Sequence, residues 1–525
     1  MLSPDIWLLA LGPLAIAGGG IVCKRGVVRG QVVTWACAFN LAVAAITAVL
    51  VALHGVLLTG TLGLGGVGLG LYVDSLAAAM FCLVSFIGLI VVAYSHNYMQ
   101  GDPAHGSFTR SLCLTLVSVL FLTISGNLFQ FLLAWLGMGF GLQTLLLFYP
   151  ERRAAVLGAR KHLIATLLGS FCLLAVLAIL YRLFGSLDYT AIFAGAAALR
   201  GASVLPASIH AAALLLAIAG LLRSAQFPTH GWLMEVMETP TPVSALLHAG
   251  IINAGGFLIL RFSKLVSLSL PSLETLVLIG GFTAIFGSVV MLAKTSIKVK
   301  LATSTVAQMG FMMLECGLGA FPAALLHIIA HSLYKAHAFL SSGSVIDMAR
   351  ASWSLSPGGK PHPLRQVVAV LAVLAIGFVL GRTFGAAPTE QPGVFALGAV
   401  LLLGLVHLVS SGIDVRPSAY VIGRTVLYAL GVGIAYFSLQ IAMMWLFSGS
   451  IPIAAALHGP FALSVEAVVV AAFAVVTILQ GRVPGDAQTP RWQALYALVW
   501  HGFYVNTLIN RLLMQVWPLR TVSRS

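Results

Sequence analysis

The stretch Leu325-Leu-His-Ile-Ile-Ala-His-Ser-Leu-Tyr-Lys-Ala-His-Ala-Phe339 decides how this chain is read. His327, His331 and Lys335 recur at intervals of four residues. On an α-helix that spacing puts all three on one stripe, rising about 12 Å from first to last. The Leu, Ile, Ala and Phe residues around them suit only lipid or a buried core. Ionisable groups in such a segment are costly, and they usually face a bundle interior or a water-filled path. The stripe therefore reads as a row of stations for a proton.

The rest of the chain supplies the setting. Hydrophobic residues make up 60% of it and charged residues 8%, with a mean hydropathy of +1.02. That balance excludes a soluble domain and predicts an all-α polytopic membrane protein. With about 20 mostly apolar residues per span, it holds about 14–15 candidate transmembrane helices. Two of these centre near Met309 and Ala330. Ile6–Val22 is expected to be a retained first span rather than a cleaved leader.

The formal charge of +14 would suit nucleic acid, but its distribution does not. The basic residues gather in alternate loops: Lys24, Arg25 and Arg29; Arg152, Arg153, Arg160 and Lys161; Lys294, Lys298 and Lys300; Arg350, Lys360 and Arg365; Arg416 and Arg424. Such a pattern puts those loops in the cytoplasm and the N-terminus outside. The predicted organisation is one transmembrane domain over residues 1–487. An amphipathic C-terminal segment, residues 488–525, would lie at the interface or dock on a partner. The six cysteines are scattered without short paired spacing, which argues against a disulfide framework or a zinc or iron–sulfur site in this chain.

Two segments interrupt the helical pattern: Gly220–Pro228, followed by Glu238-Thr-Pro-Thr-Pro242, and Gly377–Gly385. Pro removes a backbone donor and Gly loosens a helix. Broken helices at membrane depth are tolerated where they line a cavity, and a pair of them marks a transport site. Each break carries an arginine, Arg223 and Arg382. Arg223 cannot release a proton at physiological pH, but it can hold a fixed charge that biases Glu235 or Glu238. Its plainer alternative is a side chain snorkelling to the headgroups. His248 can relay a proton through its two ring nitrogens, or serve only as a packed histidine. Lys161 and His162, Asp74, His407 and Glu466 are further candidates near or within spans. A zinc hydrolase needs His-Glu-x-x-His, and Ile328 follows His327, so no general base is in place. Gly60–Gly70 lacks the ending of a phosphate loop and is expected to be an ordinary loop.

The stretch Arg223-Ser-Ala-Gln-Phe-Pro followed by Thr239-Pro-Thr-Pro-Val-Ser-Ala-Leu-Leu-His-Ala249 resembles the signature of proton-conducting, antiporter-like membrane subunits. These include the large membrane subunits of NADH:quinone oxidoreductase and of multi-subunit sodium/proton antiporters. Tyr72-Val-Asp-Ser-Leu76, Ser296–Gly310 and His327–Ile346 follow the same pattern in the same order. The resemblance implies two inverted five-helix repeats, each with a broken helix, and a chain of polar residues at the membrane midplane.

Departures from that pattern lie in the first half. Trp135-Leu136-Gly137 lacks the family's glutamate, Arg223 stands for its lysine, and Ser170 stands at an acidic position. These losses, with the stretch His501–Arg511, resemble the branch that serves bacterial inorganic carbon (CO2/bicarbonate) uptake. That branch implies a location in the bacterial cell inner membrane and a DabA-like zinc protein as partner, similar to a β-carbonic anhydrase. The membrane chain would couple an inward flow of protons or sodium to the partner's chemistry, with no catalytic residue, metal or cofactor of its own. The alternatives are a subunit of a sodium/proton antiporter or of a respiratory complex, and an intramembrane metal-dependent enzyme.

Overall fold

The computed structural model describes residues 4–22, 27–202, 204–343, 363–385, 392–410, 419–452, 460–482 and 490–518. Among them, eight helices are long and apolar enough to cross a membrane, and six shorter ones are apolar. The N-terminal helices are α1 (Leu11–Val22), α2 (Val27–His54), α3 (Ser75–Tyr98), α4 (His105–Ile124), α5 (Leu128–Leu146) and α6 (Arg153–Phe184). There follow α7 (Tyr189–Leu199), α8 (Ala207–Arg223), α9 (Gly231–Glu235), α10 (Thr241–Ala249), α11 (Ala254–Arg261) and α12 (Ser263–Val266). The second half holds α13 (Leu270–Ala293), α14 (Ile297–Gly317), α15 (Phe321–Leu340), α16 (Pro363–Thr383), α17 (Pro392–Ser410), α18 (Ala419–Phe447) and α19 (Pro460–Arg482). Two short helices, α20 (Pro490–Trp500) and α21 (Val505–Val516), complete the described chain.

Side-chain caps set some of these boundaries. Asp74 accepts from the Ala77 amide at 2.9 Å and starts α3, and Asn127 accepts from the Gln130 amide at 2.8 Å and starts α5. Both satisfy amides that a helix leaves orphaned at its first turn. The glycine-rich stretch expected as a loop is instead paired. Leu62–Leu64 and Val67–Leu69 form an antiparallel hairpin. Its turn is Gly65-Gly66, both at positive φ (59° and 75°), the conformation a tight hairpin demands.

The proline-marked break is present. Helix α8 ends at Arg223 and the chain resumes as α9 only at Gly231. A second interruption was not predicted: a 3-10 turn at Ile251–Asn253 separates α10 from α11, just past His248. The two interruptions touch. A Cβ on Gly255 would fall 2.2 Å from Ser224 Oγ and 2.4 Å from the Gly220 carbonyl oxygen, so only glycine permits this crossing. The glycine-marked segment behaves differently. Helix α16 runs unbroken through Gly377 and Gly381, and a left-handed residue appears only at Gly385 (φ 68°).

Helices α13 and α14 pack backbone to backbone through glycine. A Cβ on Gly310 would meet the Ala284 nitrogen at 2.4 Å, and one on Gly287 the Ala307 nitrogen at 2.6 Å. Small residues are the usual means of close helix approach in a membrane. This contact fixes α14 as one wall beside α15. The centres predicted near Met309 and Ala330 fall on these two helices.

The C-terminal helices lie on the face that carries the basic loops. Tyr496 donates to the Ala293 carbonyl at 3.2 Å, Lys294 to that of Trp500, and Arg160 to that of Trp517. Burial holds the Lys294 ammonium below the ordinary lysine range.

Candidate functional site

Helix α15 turns the 3.6-residue repeat into the predicted stripe. Lys335 is fully buried, His331 is 5% exposed, and the His327 side chain is 15% exposed. The Lys335 ammonium donates to the Leu301 carbonyl of α14 at 2.8 Å. The rings of His327 and His331 have centroids 6.1 Å apart. All three residues line one cavity of about 670 Å³ between α13, α14, α15, α17, α18 and α19.

A residue that sequence reasoning passed over completes this row. Glu315 Oε1 lies 3.0 Å from His327 Nδ1, and its side chain is 7% exposed. Helix α14 leaves the basic face at Lys294–Lys300, so Glu315, near its far end, lies toward the opposite face. Four polar atoms at this cavity have no hydrogen-bond partner among the described residues: Glu315 Oε2, His327 Nε2, His331 Nε2 and Gln440 Oε1. Buried polar atoms are costly unless paired, and a space of this size with several polar side chains among its lining residues has room for water to pair them. The arrangement can therefore hold a hydrated file of titratable groups.

His248 joins the row from the side. It is fully buried in α10, its ring stacked on Phe339 at 4.4 Å. Its Nδ1 lies 3.0 Å from Thr305 Oγ1. Beside it, Asn253 donates to Ser332 Oγ at 2.8 Å, tying the 3-10 interruption to α15.

A second cluster occupies the first half. Lys161 Nζ and Glu235 Oε1 are 2.7 Å apart, with side chains 7% and 11% exposed. Asn506 accepts from the same ammonium at 2.7 Å and donates to Glu235 at 3.2 Å. Asn510 donates to Glu235 at 2.9 Å. Arg223, on α8, is 3% exposed. Its guanidinium lies 3.2 Å from His162 Nε2 and from Thr166 Oγ1, and 5.3 Å from the Trp135 ring. No carboxylate pairs with it among the described residues, and its Nε and Nη2 are without partners there. Leu136, at the lost glutamate, is exposed. Ser170 donates to the Thr166 carbonyl.

The remaining candidates are placed apart. Asp74 caps α3 and pairs with Arg261 at 3.0 Å, both side chains buried, so its position is explained by structure. Arg382 is exposed and lies over Phe378; it is not brought to the cavity. The side chains of His407 and Glu466 lie outside the described residues. Among the described residues, no group of three His, Cys, Asp or Glu could hold a metal ion.

Glu315, Arg261, Thr305 and Asn506 were not singled out as site residues from the sequence. Glu315 had a readable signal, a lone carboxylate inside the apolar run Met309–Ala320. The others owe their roles to partners distant in sequence.

Residues 125–379 match a family described as NADH:quinone oxidoreductase/Mrp antiporter, TM. Residues 62–109 match the N-terminal part of complex I chain 5. The probable inorganic carbon transporter subunit DabB2 of Halothiobacillus neapolitanus is 37% identical over 98% of this chain and 95% of its own length. The probable DabB subunit of Hydrogenovibrio crunogenus is 39% identical over 63% of this chain and 64% of its own. Among solved structures, a chain of the Mrp complex from Dietzia superposes with a TM-score of 0.63 at 22% identity. That match covers 98% of this chain and 61% of the other.

Proposed function

Because the chain belongs to the DabB family of inorganic carbon transporter subunits, within the antiporter-like membrane subunits of NADH:quinone oxidoreductase and Mrp complexes, we propose that it couples a cation gradient to inorganic carbon accumulation. The cation is a proton. The partner is a DabA-like zinc protein that carries the chemistry, and this chain is not itself an enzyme. It lies in the bacterial inner membrane with its basic face in the cytoplasm and its N-terminus in the periplasm.

Conduction uses the second half. The supporting observation is the file Glu315–His327–His331–Lys335 along one cavity, with four of the lining residues each holding a buried polar atom that has no partner among the described residues. His248 connects this file toward the first half. There Arg223 is a fixed charge rather than a switch, because only neutral groups surround it. The body, residues 1–487, carries the path. Within the C-terminal segment, α21 closes the cytoplasmic side of the Lys161–Glu235 pair through Asn506 and Asn510.

The test is growth in air of a host lacking carbonic anhydrase, with the chain expressed beside the neighbouring genes of its own locus. Wild type is expected to rescue growth and to co-purify with a zinc protein. The His331→Ala/Lys335→Ala pair is expected to rescue none. Full rescue by that pair would overturn the path. Co-purification with dehydrogenase or antiporter subunits instead would overturn the assembly.

A further inference from the structure

Glu315 sits where a buried proton carrier needs a counter-charge. We infer that Glu315 is the positioning residue that lets His327 hold a proton, so that the pair forms the cation-binding site at the outer end of the file. The inference rests on the conducting role proposed above and adds a group that the stripe on α15 does not contain.

The geometry is specific. With Glu315 ionised, its Oε1 accepts from His327 Nδ1 at 3.0 Å, because a carboxylate has no hydrogen to give. That bond fixes the ring, keeps the hydrogen on Nδ1 and leaves the Nε2 lone pair free. His327 Nε2 has no partner among the described residues, and His327 lines the cavity. A proton from cavity water adds to Nε2, giving an imidazolium whose charge Glu315 balances. It leaves from the same Nε2 toward His331, whose Nε2 is likewise unpartnered. No other bond changes, and His327 returns to its starting tautomer.

Charge explains why the carboxylate is needed. Two turns further along α15, Lys335 lines the same cavity, and its ammonium opposes a second cation nearby. Two cations in one apolar site repel each other, and a carboxylate in contact with one of them offsets that repulsion. Around Glu315, Cys316 is its neighbour on α14, while His327, His331, Tyr436 and Gln440 line the cavity from α15 and α18. Glu315 is the sole carboxylate among the described residues lining this cavity.

The experiment compares Glu315→Gln, Glu315→Asp and Lys335→Ala in the full chain. Each is expressed with its neighbouring genes in the carbonic-anhydrase-deficient host and read as uptake of labelled inorganic carbon. Gln keeps the size and the hydrogen bond but not the charge, so uptake is expected to fall roughly tenfold or more at unchanged membrane content and melting temperature. Asp restores the charge and is expected to recover most of the uptake. Wild-type uptake by Glu315→Gln, with uptake lost in Lys335→Ala, overturns this inference and leaves the conducting file standing. Wild-type uptake by Lys335→Ala overturns the file itself. Loss of the folded chain in both Glu315 variants assigns the residue to structure and also overturns the inference.

Discussion

Lys335 and Thr305 donate to the same carbonyl oxygen, that of Leu301, at 2.8 and 3.1 Å. The single hydroxyl hydrogen of Thr305 is used in that bond, so toward His248 Nδ1 it can only accept. His248 therefore carries its hydrogen on Nδ1 and presents the Nε2 lone pair. One threonine thus links the buried ammonium to the tautomer of the lateral histidine.

Thr305→Val keeps the shape and removes both bonds. The expected outcome is a loss of about 1 kcal/mol in stability and uptake reduced several-fold. Thr305→Ser, which keeps the hydroxyl, should behave as wild type. Uptake assays beside thermal unfolding in detergent check both. Equal uptake in the valine and serine variants would show that the tautomer of His248 does not matter.

Arg223 is a buried cation whose partners are His162, Thr166 and the Trp135 ring. A buried charge held by neutral groups contributes little to stability and can reduce it. Arg223→Met is therefore expected to melt no lower than wild type while losing most of its uptake. Arg223→Lys, which keeps the charge, should retain part. A lower melting temperature with normal uptake would make Arg223 a structural residue.

The stripe on α15 was legible because its information is local. Four-residue spacing fixes a helix face, and an apolar neighbourhood fixes that the face is interior. The Pro-marked break after Arg223 was legible for the same reason. The interruption at Ile251–Asn253 was not, since what holds it is a set of long-range bonds, Asn253 to Ser332 and Ser224 to the Ile252 carbonyl. The glycine-marked segment is not a break: glycines at 377 and 381 fit inside a regular helix, because tertiary packing outweighs their weak propensity. Glu315 and His327 are 12 residues apart on two helices, and only the turn between α14 and α15 brings them together.

Asp74 performs two separable tasks. It caps α3 through the Ala77 amide and balances Arg261 at 3.0 Å. Asparagine caps as well as aspartate, so Asp74→Asn isolates the ion pair. Leaving Arg261 buried without its carboxylate is expected to cost about 3 kcal/mol, with uptake per folded chain unchanged. Denaturation of the purified variant measures the first, and uptake normalised to membrane content the second. Loss of uptake at unchanged stability would move this pair onto the ion path.

Lys161 and Glu235 form the other buried pair, but theirs is shared with the C-terminal helix. Asn506 bonds both members, and Asn510 bonds the carboxylate. Close fit requires Gly231, where a Cβ would fall 2.0 Å from Asn506 Oδ1. Lys161→Met alone strands a buried carboxylate and is expected to lose about 3 kcal/mol or more, whereas Lys161→Met/Glu235→Gln should recover much of that loss. If α21 closes this pair from the cytoplasm, Asn506→Ala/Asn510→Ala should release the helix, seen as faster hydrogen exchange over residues 505–516 and faster proteolysis there. Both Lys161→Met and the asparagine pair should loosen α21, since each removes its polar anchor. Protection of α21 unchanged in both variants would show that apolar contacts such as Phe503 on Phe286 hold the segment, and that the polar anchor does not seal the pair.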